Sequence, residues 1–106
     1  MASSVVTNAP TLFAVVSKAT ASTTAVVAAV TGRTIVLDSY VLVATAAVGV
    51  NWEDGTTDIS GVMQLGDGGT IAVGGGNLLA TSPGAALAIT LDDTVQVSGH
   101  ISYHLE

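Results

Sequence analysis

Residues 32–65, GRTIVLDSYVLVATAAVGVNWEDGTTDISGVMQL, hold two long extended runs and a recognisable turn, and they narrow the possible folds more than any other stretch. In the first run Ile35, Leu37, Val41 and Val43 share one parity, while Val36, Tyr40, Leu42 and Ala44 share the other. Only Asp38 and Ser39 interrupt, so the pattern predicts a strand buried on both sides for most of its length. The second run, Val48-Gly49-Val50-Asn51-Trp52, alternates and then meets Glu53-Asp54-Gly55-Thr56-Thr57. An Asp-Gly pair between alternating segments is a strong hairpin signal, because glycine supplies the positive φ that the turn needs. The return strand is expected over residues 58–65.

The remaining segments attach to this frame. Residues 11–18 read as a strand, and residues 19–31, ATASTTAVVAAVT, as another: alanine favours helix there, but the surrounding Thr and Val favour extended backbone. Residues 1–31 are expected to be an N-terminal arm or an edge strand, with residues 32–106 forming the domain core. Gly66-Asp67-Gly68-Gly69 and Gly74-Gly75-Gly76-Asn77 read as hairpin turns around a short strand at 70–73, followed by an extended piece at 78–81 and a stop at Ser82-Pro83-Gly84. Residues 85–91 and 94–103 alternate, and with Asp92-Asp93 between them they predict a second hairpin. Strands spaced in this way, with no convincing helix and no internal repeat, predict one all-β domain. The expected form is an antiparallel β-sandwich, jelly-roll-like, of about seven or eight strands.

Composition bears on partners. Only 9% of the 106 residues are charged and aromatic residues make up 4%, so Val, Ile, Leu and Ala must fill the core and few ionic groups are left for the exterior. Mean hydropathy is +0.67. A domain of this length buries only about two-thirds of its unfolded surface, so part of the outside is expected to be covered by another chain. Lys18 and Arg33 stand against eight acidic residues, a net charge of −6. Such a chain cannot neutralise a run of phosphates or hold an anionic membrane, which argues against nucleic-acid and membrane partners. No cysteine is present, removing disulfides, thiolate metal sites and thiol catalysis together. The start, MASSVVTNAP, lacks the basic and apolar regions of a secretory signal, and no run is long enough for a spanning helix. Leu105-Glu106 also fits an expression-tag junction.

Candidate chemistry is sparse. His100 and His104 share one face of the last strand about 13 Å apart by strand rise, too far to chelate one ion, and read as a solvated polar face. Glu53, Asp54, Asp58, Asp67, Asp92 and Asp93 cluster in turns. Calcium is conceivable there, but the spacing is not that of an EF-hand and aspartate is a preferred turn residue. No nucleophile signature or phosphate loop is present. The expectation is therefore a non-enzyme with no cofactor and no metal.

Gly32-Arg33-Thr34-Ile35, Ser39-Tyr40-Val41-Leu42, Ala47-Val48, Asp58-Ile59-Ser60-Gly61, Ala86-Leu87-Ala88-Ile89-Thr90-Leu91 and Val97-Ser98-Gly99-His100-Ile101-Ser102-Tyr103 together resemble a group of small all-β structural proteins of tailed bacteriophages. The similarity spans about two-thirds of the chain, residues 32–103. It implies a virion component, made in the host cytoplasm, that decorates the outer surface of the capsid as a cement protein, associates as a homo-oligomer, often a trimer, and contacts the major capsid protein. The Ala/Ser/Thr-rich first 30 residues and residues 76–83 depart from that pattern. The alternative is a receptor- or carbohydrate-binding module of a tail fibre, for which the chain offers few aromatic platforms. Leu12, Phe13, Val15, Val16, Val26, Val27, Tyr40 and Trp52 are the candidate capsid or oligomer contacts.

Overall fold

The computed structural model describes residues 10–106, and the part of the arm expectation that falls on residues 1–9 lies outside them. Ten strands follow in order: β1 (Leu12–Lys18), β2 (Thr23–Val27), β3 (Ile35–Ala44), β4 (Val48–Asp54), β5 (Thr57–Asp58), β6 (Met63–Leu65), β7 (Thr70–Val73), β8 (Leu79–Ala80), β9 (Leu87–Leu91) and β10 (Val97–Leu105). They form two antiparallel sheets. The first runs β1-β10-β3-β7, with β8 on the other end of β3; the second runs β2-β9-β4-β5, with β6 on the other end of β4. Counting each broken edge as a single strand leaves four strands per sheet, an antiparallel β-sandwich of eight strands as the strand spacing predicts. Residues 12–18 and 23–27 are thus an edge strand of each sheet.

The Asp-Gly hairpin forms as expected: Asp54 pairs with Thr57 across a two-residue loop, and Gly55 has φ of 64°. Its return strand does not run unbroken. Residues 59–62 loop out between β5 and β6, opposite only Asn51 and Trp52. The Trp52 backbone stays satisfied there, because the Ile59 N–H donates to its carbonyl at 3.0 Å and its own N–H donates to Ser60 Oγ at 2.8 Å.

Three other expectations are corrected. β9 and β10 do not pair: the five residues 92–96 carry the chain from the second sheet to the first, far enough to span the ~10 Å between packed sheets. Nor do the glycine runs close hairpins. Residues 66–69 cross from β6 to β7 in the opposite sheet, and residues 74–78 carry the chain from β7 to β8 along one side of β3. Alternation identifies strands but not which sheet receives them.

β3 is the third correction. Ser102 pairs with Ser39 and Tyr103 with Leu37, leaving Asp38 as an extra residue in a β-bulge. A bulge shifts side-chain parity, so Ile35 and Leu37 face the core before it, and Tyr40, Leu42 and Ala44 after it. The strand is thus buried on both sides at its start, where Ile35, Val36 and Leu37 are all buried, and beyond the bulge its second face opens through half-buried Val41 to Val43, which is 40% exposed. Between the sheets Tyr40 meets Trp52 edge to face, ring centroids 5.3 Å apart at 65°, among Leu42, Val50, Leu87, Ile89, Leu91, Val97 and Ile101.

Candidate functional site

The outer face of the first sheet follows from the register. One row across it is Ser17, Ser98, Val43 and Thr70; the next is Val15, His100, Val41 and Ala72; the third is Phe13, Ser102 and Ser39. Phe13 is 73% exposed and Val15 79%. None of these residues is Asp, Glu, Lys or Arg. The second sheet differs: Glu53 and Asp58 pair across β4 and β5, and beside them Asn51 donates to Asp58 Oδ1 at 2.8 Å and Thr23 to Glu53 Oε1 at 3.3 Å. Those three rows thus carry no formal charge in a chain of net charge −6, while further along the same face, past the Ser39–Ser102 row, His104 stands with the Asp38 carboxylate bonded to it.

The expected contact residues divide. Phe13 and Val15 are exposed on β1, and Leu12 and Val26 are half-buried. Val16, Val27, Tyr40 and Trp52 belong to the hydrophobic core, Trp52 fully buried. Those four hold the sheets together, and a partner docking on the folded chain does not reach them.

The acidic turn residues are committed to individual donors. Asp67 accepts from the Ala47 N–H at 3.1 Å, joining the β6–β7 crossover to the β3–β4 crossover. Asp92 accepts from the Gly49 N–H at 2.7 Å while its own N–H donates to the Gly49 carbonyl at 3.1 Å. Asp54 accepts from the Ser82 N–H and Asp93 from the Thr94 N–H, each at 2.7 Å. Among the described residues no three acidic or histidine side chains converge on a cation-sized site. These aspartates tie connections to strands, which is turn chemistry extended across the fold.

The two histidines have different surroundings. His100 is exposed in the second of the uncharged rows. His104 Nδ1 lies 2.6 Å from Asp38 Oδ2 and its Nε2 lies 2.8 Å from Glu106 Oε2, so it sits between two carboxylates instead of in open solvent. Asp38 Oδ1 also accepts from the Asn77 N–H at 2.9 Å, and the Asp38 carbonyl accepts from the Gly76 N–H. The hydrogen bond with Asp38 holds the imidazole above its usual range; burial opposes this and Glu106 adds to it. For Asp38, burial acts upward, but the Asn77 N–H and His104 together bring the carboxyl below its ordinary value. The sequence signal for this cluster was the Asp38-Ser39 interruption in an apolar run, where a bulge is the natural explanation.

Lys18 is 7% exposed. Its Nζ donates to Thr20 Oγ1 at 3.0 Å, Ser22 Oγ at 2.9 Å and Thr24 Oγ1 at 2.6 Å, bridging the end of β1 to β2. Burial lowers the pKa of the amine. At the other end of the sandwich Arg33 donates to the Leu105 and Glu106 carbonyls. Neither cation contributes charge to the outer face of the first sheet.

No protein-family model matches the chain, and no curated protein does. Among solved structures, a chain of the cyanophage Pam1 capsid asymmetric unit shares its fold, with a TM-score of 0.53 and 15% identity over 92% of this chain and 84% of that one.

Proposed function

We propose that this chain is a structural component of a bacteriophage virion, a decoration (cement) protein that binds the outer surface of the assembled head and stabilises it. The observation that carries this reading is the likeness, along nearly the whole chain, to a chain of a cyanophage capsid asymmetric unit. The three uncharged rows on the outer face of the first sheet supply a surface suited to protein contact. Binding to the assembled shell and not to its free subunits shifts assembly by mass action, so each bound copy makes the head harder to take apart. The role is non-catalytic: His104 has both ring nitrogens against carboxylates, and the hydroxyls of Ser39 and Ser102 hydrogen-bond to each other.

A glycan-binding module is the weaker reading, because Trp52 and Tyr40 are in the core and Phe13 is the one strongly exposed aromatic residue among those described. Deleting residues 1–30 is a poor test, since it removes β1 and β2, two of the four edges, along with the core residues Val16 and Val27. Co-sedimentation of the purified chain with empty heads of its phage, compared with Val43→Glu, is a better one. The wild type is expected to bind and to raise the temperature at which heads open, and V43E to bind at least about tenfold more weakly, a loss of ~1.4 kcal/mol. A wild type that stays in the supernatant overturns the reading.

A further inference from the structure

Sheet edges invite pairing, and folded chains blunt them with bulges, breaks, charges or very short strands. Three of the four edges here are blunted. β2 carries a register shift between Ala25 and Val27. The edge formed by β5 and β6 consists of two and three residues and carries Asp58; the edge formed by β7 and β8 consists of four and two. β1 differs: its seven residues pair with β10 in unbroken register from Leu12↔Tyr103 to Lys18↔Val97, and its other side has no strand partner among the described residues. It also presents Phe13 and Val15, which are 73% and 79% exposed. Its one charged side chain, Lys18, turns inward to three hydroxyls and does not guard the edge.

We propose that β1 is a pairing strand whose occupant is β1 of a second copy of this chain, antiparallel across a two-fold axis. Charge argues for a copy. Two molecules of net charge −6 repel wherever carboxylates face each other, and neither β1 nor the stretch of β10 it pairs with carries one. An isologous contact of this kind needs only a strand that complements itself. Centred on Ala14, the pairing sets Phe13 of each copy opposite Val15 of the other, two aromatic to β-branched cross-strand pairs of the sort that stabilise sheets. The two first sheets then join into one continuous sheet, and the uncharged rows of their outer faces become a single surface. This inference stands independently of the proposed role on the phage head, and it replaces the trimer implied by the sequence resemblance with an even-numbered assembly.

Light scattering on the full chain across a wide concentration range tests it. The expected mass is about twice the 10.4 kDa of one chain; a monomer at every concentration, or a three-fold mass, overturns the proposal. Val15→Lys and Phe13→Lys place a charge beside the strand edge at highly exposed positions, so the fold is retained by circular dichroism while the dimer dissociation constant rises about tenfold or more. A folded V15K that remains as dimeric as the wild type overturns the pairing. Because the chain has no cysteine, the double variant Phe13→Cys with Val15→Cys is expected to form a disulfide-linked dimer on oxidation. A crosslink that fails to form in a dimeric sample overturns the Ala14-centred register. Head binding is measured separately, so failure of either proposal is visible without the other.

Discussion

Asp38 and His104 meet where a bulge interrupts the β3–β10 ladder, carboxylate Oδ2 to imidazole Nδ1 at 2.6 Å. The extra residue that shifts the parity of β3 is the one that holds the histidine, so a single backbone irregularity sets both which side chains reach the core and where a charge pair forms. The stability of the pair depends on pH in a stated direction. His104 is raised above its ordinary 6.5, so its contribution is complete below that value and is lost as pH climbs through the raised one. Asp38 is lowered from 3.8, so its contribution is present above that value and is lost as pH falls through the lowered one. Thermal midpoints measured against pH should fall away on both sides of the range between them. His104→Gln should flatten the alkaline fall, at a cost of about 1 kcal/mol or less in the plateau. An alkaline limb identical in wild type and H104Q defeats the assignment.

Gly99 sits in β10 between Val16 and Leu42 on the inner side of the first sheet. A Cβ there would overlap the Val41 carbonyl, a backbone group that cannot swing aside. Gly99→Ala is therefore expected to destabilise the chain by about 1–3 kcal/mol, as overpacking does, seen as a lower urea midpoint. Gly61→Ala, where a Cβ meets open space, serves as the control and should change little.

Trp52 is fully buried with its indole N–H unpartnered. Trp52→Ala removes the ring at the centre of the core and should cost about 3–5 kcal/mol. Trp52→Phe also loses volume but discards the unpaired donor, whose burial costs about 1–3 kcal/mol, so it should cost distinctly less than W52A. Chemical denaturation followed by circular dichroism separates the two. Equal losses would mean that the N–H carries no penalty.

Asp92 and Gly49 hold each other by two backbone-directed hydrogen bonds, and a Cβ on Gly49 would strike the Asp92 carboxylate. Asp92→Ala should cost about 1.5–3 kcal/mol, the range for a hydrogen bond to a charged group. Gly49→Ala should fall in the same direction, and the double variant should lose less than the sum, because both break one contact. Additive losses in the double-mutant cycle would show that the two positions act separately.

Local sequence determined the strands themselves. Valine, threonine and the alternating runs at 85–91 and 97–103 favour a pleated backbone, and Asp54-Gly55 supplies a turn closed by its own φ of 64°, so these elements depend on nothing distant. Charge poverty was equally legible, and it pointed to an exterior needing cover. Which strands share a sheet was decided only in three dimensions, because a short polar link can fold back or cross to the facing layer and the same alternation suits both. Tertiary structure also moved Tyr40 and Trp52 from the expected contact surface into the core and left Phe13 and Val15 outside. Tyr40 owes its inward parity to the bulge at Asp38, Phe13 and Val15 owe their outward parity to the register with β10, and Trp52 faces inward from β4 of the second sheet, a placement set by strands distant in sequence.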